Sequence, residues 1–245
     1  MARDLLDLLW RVDGPAAPAP ARGPRPKVST AQTVAAATAL ADEHGLGAVS
    51  VRRLAARLGV APTAVYTHVG SRDDLLVLMA DALRSRRPPP ALTSTSWRGR
   101  VRQVAEAELA LHTTHPWLLD VADPRTAFGP GTIGTYDAQL RAFDATGLDD
   151  VGRDAALTFV LDFVRAAARA RLAAAHAADM EVAWSAWGAR LAGHVGERYP
   201  LARRVGRAAG EAMRGPYSAE HAWRFGLDRV LDGLATRIDA APAPR

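Results

Sequence analysis

The side chains best suited to a chemical role are concentrated in one short segment, Pro62–Val69. Threonine hydroxyls there can hydrogen-bond to base edges or phosphate oxygens, and a tyrosine phenol or a histidine imidazole can donate to phosphates. The methyl group of Ala64 can contact the methyl group of thymine. If the segment is a helix with one exposed side, its outer residues therefore suit the major groove of DNA. They are Thr63, Ala64, Tyr66, Thr67 and His68.

Two short helices are predicted to position these residues. In the first, apolar side chains recur at i, i+3, i+4 and i+7 from Val51 to Leu58, and Ser50 precedes them as a helix cap. Gly59 ends this helix, and Pro62, which is tolerated in the first turn of a helix, begins the second. The spacing predicts a helix-turn-helix, although periodicity alone also allows a structural helical hairpin with ordinary surface residues.

One further helix is predicted on each side of this pair. The preceding helix begins after Ser29 and ends at His44, where Gly45 stops it. The following helix begins at the capping sequence Ser71-Arg72-Asp73-Asp74 and continues through Leu83. These helices supply the apolar faces against which the central pair can pack.

The composition of the chain changes twice, and each change predicts a boundary. Residues 1–26 are rich in proline and alanine and are expected to form a flexible leader, in which residues 4–11 are able to form one or two helical turns. Residues 27–87 form the predicted DNA-binding domain. After the prolines that follow Arg87, residues 91–240 are expected to form a second, larger domain.

That second domain is rich in alanine and leucine and has no alternating strand pattern. We therefore predict an all-α fold, with an N-terminal three-helix helix-turn-helix domain and a larger all-helical C-terminal domain. The predicted C-terminal helices cover Trp97 to His112, Ile133 to Thr146, Asp149 to Ala178, Val182 to Arg198 and Ala219 to Ile238.

Charge and composition narrow the classes of function. Ten basic and five acidic residues lie between Arg22 and Arg87, and this excess equals the net charge of the chain, +5. Such an excess suits phosphates, although a solvated surface would carry the same charge. The chain has no cysteine, which excludes disulfides and thiolate sites. Without a catalytic signature, a phosphate-binding loop or a membrane-spanning apolar run, we expect a cytoplasmic protein that has no cofactor and is not an enzyme.

The stretch from Val49 to Val69, with Ser71 to Leu76 after it, resembles the N-terminal domain of the tetracycline-repressor (TetR) family. The strongest elements of the resemblance are Leu58-Gly59-Val60, Tyr66-x-His68-Val69 and Asp74-Leu75-Leu76. The resemblance implies a homodimer on a palindromic operator, repression by occlusion, and release when a small molecule enters the C-terminal domain.

Carried over position by position, the resemblance places DNA contacts on the helix-turn-helix and at the start of the helix after it. These positions are Ser50, Arg52, Thr63, Ala64, Tyr66, Thr67, His68 and Arg72. From the residues alone we add Lys27, which we expect to hold the flanking DNA backbone together with Arg52 and Arg72. Thr67 stands where the tetracycline repressor itself has a large aromatic residue, so the two operators need not be the same.

A pocket for a small apolar effector needs an apolar lining with a few polar groups. We predict its lining in the C-terminal domain, although each of the residues also suits the core. They are His112, Trp117, Phe128, Tyr136, Phe143, Phe163 and Trp184. The spacing of His112 and His115 would also suit a metal ion, but a histidine just before Pro116 is more typical of a helix end, and we predict no metal site.

The resemblance also implies a dimer interface built as a four-helix bundle. Its candidates are the alanine-rich stretch from Ala155 to Ala178 and the last helix, from Ala219 to Ile238, although the same residues would suit an intramolecular core. Two other functions remain open at this point. One is a helical small-molecule-binding protein or enzyme with a vestigial DNA-binding domain, and the other is a regulator controlled by a protein partner.

Overall fold

A computed structural model describes residues 4–10, 28–175, 178–196, 198–213 and 217–239 of the chain. Within these ranges the side chains of residues 66–68, 175, 178–181 and 184–185 are not described. Every regular element in the described ranges is a helix, which confirms the predicted all-α class. The chain forms two compact units, Met1–Ala145 and Thr146–Arg245, called here the first and the second unit.

The first unit contains the predicted helix-turn-helix and the helices that follow it. Its α-helices are α1 (Leu5–Trp10), α2 (Thr30–His44), α3 (Val51–Leu58), α4 (Pro62–Val69), α5 (Arg72–Arg86), α6 (Trp97–Thr114) and α7 (Pro130–Leu140). Short 3₁₀ turns at Pro116–Asp120 and Pro124–Phe128 connect α6 to α7. The boundary between the two units, after Ala145, lies later in the chain than the domain boundary that we predict near residue 90. The reason is that α7 packs closely against α5.

Serine caps begin α2, α3 and α5 as the sequence predicts. Ser29 forms a full capping box with Gln32, since its hydroxyl accepts from the Gln32 nitrogen at 3.1 Å and the Gln32 amide accepts from the Ser29 nitrogen at 2.8 Å. The Ser71 hydroxyl accepts from the Asp74 nitrogen at 3.0 Å. These caps fix where each helix starts, and hence which residues face the core.

Helices α2 to α5 enclose a single hydrophobic core, which extends to α1 and to residues near the end of α6. Its fully buried members include Ala37 of α2, Leu54 of α3, Val65 of α4 and Met79 of α5. Leu8 and Leu9 of α1 are buried in the same core. Residues 5–10 of the predicted leader form α1, where the sequence allows one or two helical turns, and its two adjacent leucines are buried against an apolar surface. Residues 11–27 lie outside the described part of the chain.

Helices α5 and α7 approach closely at two glycines, Gly129, which caps α7, and Gly131, in its first turn. A Cβ atom on Gly131 would lie 2.6 Å from the Ser85 nitrogen, and closer still to the Asp81 carbonyl oxygen. A Cβ atom on Gly129 would collide with the Asp81 carboxylate. The helix that closes the helix-turn-helix domain is therefore in close contact with the next part of the chain.

The second unit contains α8 (Asp150–Ala175), α9 (Ala178–Val195), α10 (Pro200–Met213) and α11 (Ala219–Asp239). Helices α8 and α11 pack against each other and bury a row of aliphatic residues: Leu157, Val160, Val164, Leu227, Val230 and Leu231. The sequence did not predict α10, whose apolar residues are almost all exposed. No helix in the described ranges is long and apolar enough to cross a membrane.

Candidate nucleic-acid interface

The turn between α3 and α4 has the tight geometry that its spacing predicts. Gly59 adopts the left-handed conformation, with φ 65° and ψ 34°, which costs a glycine no steric strain. The Val60 nitrogen donates to the Ala55 carbonyl oxygen at 3.0 Å and closes the end of α3. Since Leu54 and Val65 are buried on the inner sides of the two helices, the opposite side of α4 is left for contacts with another molecule.

The predicted DNA-contact residues fall into three groups by what the structure describes. Arg52, Thr63 and Arg72 are exposed, and Ala64 is half-buried on α4. Helix α4 also contains Tyr66, Thr67 and His68, but the structure does not describe their side chains. Lys27 lies outside the described residues.

Ser50 has a structural role as well as an exposed position. Its hydroxyl caps α3 by accepting from the Arg53 nitrogen at 3.4 Å. Arg72 begins α5, and one of its guanidinium nitrogens donates to the Leu46 carbonyl oxygen at 3.4 Å. Because a guanidinium group has five N–H donors, this single bond leaves Arg72 able to reach a phosphate as well.

Arg57 is a third arginine of α3, and it is held by α2. Its guanidinium group forms a two-pronged ion pair with the Glu43 carboxylate, with distances of 2.6 and 2.7 Å. This bond lowers the pKa of Glu43 from its ordinary value and raises the pKa of Arg57. The pair braces α3 against α2, and it makes Arg57 a weaker candidate for phosphate contact than Arg52.

The start of α5 is tied to the turn Pro124–Phe128. Arg125 donates to the Asp74 carboxylate at 2.8 Å and also binds Asp123 at 2.6 Å. The hydrogen bond from Arg125 lowers the pKa of Asp123, and the same contact raises the pKa of Arg125. Two carboxylates thus hold one guanidinium group beside the first turn of α5, close in sequence to Arg72.

Sequence reasoning missed a second connection, which joins α2 to the end of α6. The Asp42 carboxylate oxygen Oδ1 lies 2.7 Å from His115 Nδ1 and accepts from Trp117 Nε1 at 2.7 Å. Trp117 is buried and His115 is partly exposed. No local pattern marks this contact, because Asp42 looks like any exposed acid in the last turn of a helix.

A buried carboxylate joins α5, α6 and α7, and the sequence pattern did not single it out. Glu108 of α6 accepts from Gln139 at 2.9 Å and lies 3.4 and 3.6 Å from guanidinium nitrogens of Arg84 and Arg87. A buried charge of this kind is costly unless it is paired, so these three partners account for its place in the interior. The available signal was an acid four residues before His112 on a largely apolar helix face.

The predicted pocket-lining residues are divided between the two units. His112, Trp117 and Phe143 are buried in the first unit, while Phe128 and Tyr136 are exposed on it. Phe128 lines a surface groove together with residues of α1, away from the core.

The other two predicted lining residues belong to the second unit. Phe163 stacks on Trp223 with ring centroids 5.4 Å apart, and the Trp184 side chain is outside the description. Among the described residues, no group of His, Asp or Glu side chains could hold a metal ion.

A capped helix-turn-helix inside an all-helical chain, with arginines at both ends of the motif, defines a DNA-binding regulator. Family models agree. Residues 34–79 match "Bacterial regulatory proteins, tetR family", and residues 89–238 match "Tetracyclin repressor-like, C-terminal domain". The chain belongs to the tetracycline-repressor family. The chain is therefore a DNA-binding transcriptional regulator of this family.

Two curated relatives are similar to the chain. The HTH-type transcriptional repressor DrrR1 of Streptomyces coeruleorubidus is 34% identical over 241 residues, which cover 95% of this chain and 85% of the relative. An HTH-type transcriptional regulator of Saccharopolyspora erythraea is 30% identical over 123 residues, which cover 50% of this chain and 52% of the relative. The first similarity extends over nearly the whole chain.

Solved structures share the fold. Apo ActR from Streptomyces coelicolor superposes with a TM-score of 0.70 at 21% identity, covering 90% of this chain and all of ActR. BioQ bound to its double-stranded DNA operator has a TM-score of 0.54 at 22% identity, covering 85% of this chain and 99% of BioQ. These similarities confirm the arrangement of an N-terminal helix-turn-helix domain followed by a helical C-terminal domain.

Proposed function

We propose that the chain acts as a homodimer that represses transcription by binding a palindromic operator through α4, and that a small, largely apolar molecule releases it. The observation that carries this proposal is the helix-turn-helix itself: α4 is fixed by the turn at Gly59 and by the burial of Val65, and Thr63 is exposed on it. Such a helix fits the major groove, where short side chains contact base edges directly.

In this proposal the arginines position the protein on DNA, and α4 reads the sequence. Arg52 and Arg72 contact phosphates, with Lys27 and Ser50 at the edges of the interface. Base contacts come from Thr63, Ala64 and Thr67, and Tyr66 and His68 donate to phosphate oxygens. Because short side chains bring the helix close to the bases, specificity depends on the depth of α4 in the groove.

Exposed apolar side chains on α8 and α11 support the proposed dimer. Val151 and Phe159 of α8 and Phe225 of α11 are exposed although both helices bury other residues in the second unit. Large apolar side chains on an exposed face commonly mark an interface. A second copy presenting the same two helices would complete a four-helix bundle and cover them.

For the effector, we propose a small molecule with an extended apolar surface and a few polar groups. One structural relative, ActR, has been solved in complex with actinorhodin and with (S)-DNPA. Of the residues predicted as its lining, His112, Trp117 and Phe143 are buried in the first unit and are the candidates there. The family of the curated relatives and of these structures consists of regulators, which favours this proposal over an enzyme with a vestigial DNA-binding domain.

The test is binding of the purified chain to the DNA that flanks its own coding region, measured by fluorescence anisotropy across a salt series. A specific operator should keep its advantage over a scrambled duplex as salt rises, whereas electrostatic binding alone fades equally for both.

The matched variants are Tyr66→Ala, in α4, and Tyr217→Ala, at an exposed tyrosine of the second unit. We expect the first to weaken operator binding at least tenfold and the second to leave it unchanged. Equal affinity for both duplexes, or equal behaviour of both variants, would contradict the proposal.

A further inference from the structure

Helix α1 occupies an apolar groove formed by three other helices. Its Leu8 and Leu9 side chains are buried, and they line the same small cavity, of about 90 Å³, as Val34 of α2, Leu78 of α5 and Pro130 of α7. Two adjacent leucines therefore lie against the first helix of the DNA-binding domain, the last helix of that domain, and the start of the helix that follows.

A second set of contacts ties α1 to the turn Pro124–Phe128. Trp10 Nε1 donates to the Phe128 carbonyl oxygen at 3.0 Å. Leu5 and Leu9 line a groove together with Asp74 and Arg125, whose side chains form the ion pair between α5 and this turn. Helix α1 thus lies beside both partners of that ion pair.

The size of α1 makes its docking reversible. A helix of six residues is not stable alone in water, so α1 is helical only while it is docked. The burial of Leu8 and Leu9 favours docking, and the loss of chain entropy on ordering the segment opposes it. A short element held in this balance opens at a lower free energy than the core beneath it.

We propose that α1 is a strap that clamps the turn Pro124–Phe128 and the first turn of α7 onto α5. This proposal depends on the proposed function in one respect, namely that α5 carries Arg72 to the operator. While α1 is docked, any movement of the turn away from α5 has to break the Leu8, Leu9 and Trp10 contacts. The strap therefore holds this turn against the start of α5, which carries Arg72, and we expect its docking to favour operator binding.

The first test is hydrogen–deuterium exchange of the full chain without DNA. The variant Leu8→Asp with Leu9→Asp undocks α1. Leu6→Asp is the matched control, because Leu6 lies at the edge of the groove with Phe128 and 54% of its surface is exposed, so a carboxylate there stays in water. We expect the amides of Thr126, Gly129 and Thr132 to exchange at least tenfold faster in the undocked variant than in the control. Equal exchange at these amides would overturn the strap.

A milder variant guards against a general loss of folding. Trp10→Phe removes the hydrogen bond to Phe128 and part of the ring contact but keeps an aromatic side chain, and we expect about threefold faster exchange at the same three amides. The Leu54 amide in α3 reports on the core and should be unchanged in every variant. Unchanged exchange in Trp10→Phe would show that the Trp10 contact does not restrain the turn Pro124–Phe128, and would contradict the proposal that α1 holds this turn onto α5.

The second test measures regulation with the operator-flanking duplex. We expect the undocked variant to bind it three- to tenfold more weakly than Leu6→Asp does. Faster amide exchange with equal DNA affinity would overturn the regulatory role. If the wild-type chain prefers no DNA, the proposed function fails, while the exchange experiment still decides whether the strap exists.

Discussion

The Asp81 carboxylate oxygen Oδ1 accepts a hydrogen bond from the Thr132 backbone nitrogen at 2.8 Å. Asp81 is buried in the middle of α5, and Thr132 lies in the first turn of α7, where backbone N–H groups have no partner within the helix. An acid of the DNA-binding domain's last helix therefore caps a helix of the following region. Gly129 and Gly131 make this possible, since neither has a side chain to hold the helices apart.

The close approach of α5 and α7 predicts opposite effects for two glycine substitutions in one helix. Gly131→Ala places a Cβ atom against backbone atoms of Asp81 and Ser85, which cannot move without the helix, and we expect a loss of about 1–3 kcal/mol of unfolding free energy. In Gly134→Ala the new Cβ atom meets nothing within 4 Å, so helix propensity should stabilise the chain by roughly 0.5–1 kcal/mol.

Urea denaturation of both variants beside the wild type measures these changes. A Gly131→Ala chain as stable as Gly134→Ala would show that α5 and α7 do not approach as described.

Because Arg57 is paired with Glu43, we expect the arginines of the interface to contribute unequally to phosphate binding. Replacing either Arg52 or Arg72 by Gln should make the negative slope of log affinity against log salt shallower by about 0.9, the value of one lost phosphate contact. Arg57→Gln should leave the slope nearly unchanged, because its guanidinium group is already bound to Glu43. Anisotropy titrations at four or more salt concentrations give the slopes. If all three variants make the slope shallower by the same amount, Arg57 must leave Glu43 and contact a phosphate when the chain binds DNA.

The same ion pair predicts a pH dependence of stability. Arg57 lowers the pKa of Glu43 from its ordinary value of 4.5, so the pair contributes stability that is fully present above that pH. This contribution is lost as pH falls through the lowered pKa of the folded state, where Glu43 becomes protonated. The urea midpoint of Arg57→Gln should therefore lie below that of the wild type at pH 7, and the two should converge as pH falls below 4.5 and Glu43 becomes protonated.

Arg53→Gln, at an exposed arginine of the same helix, is the control for this series. A gap for Arg57→Gln that stays unchanged as pH falls below 4.5, or one that Arg53→Gln reproduces at every pH, would remove Glu43 as its cause.

Phe159, an exposed aromatic residue on α8, allows a test of the proposed dimer. A charge at Phe159 would have to be buried in the proposed dimer, so we expect Phe159→Asp to raise the dimer dissociation constant at least tenfold. Phe128→Asp is the matched control, since Phe128 is 59% exposed and Phe159 is 52% exposed, but Phe128 belongs to the first unit. Sedimentation velocity over a concentration series measures both. A Phe159→Asp dimer as tight as the control would place the interface elsewhere.

Much of the helix-turn-helix was predictable because its determinants are local. The caps at Ser50 and Ser71, the apolar period from Val51 to Leu58 and the glycine at position 59 each act within a few residues along the chain, so residue type and spacing suffice. The same reasoning located most helices of the second unit. It missed α10, whose apolar residues lie on an exposed face and bury nothing in the described unit.

The contacts that join α2, α5, α6 and α7 were decided only by the tertiary structure. Asp42 meets Trp117 across 75 positions of sequence, and Asp81 meets Thr132 across 51. Neither acid differs in local pattern from a solvated one, because the partner is brought to it by packing and not by spacing. The docking of α1 has the same origin: Leu8 and Leu9 favour burial wherever an apolar groove exists, and only the assembled helices α2, α5 and α7 provide one.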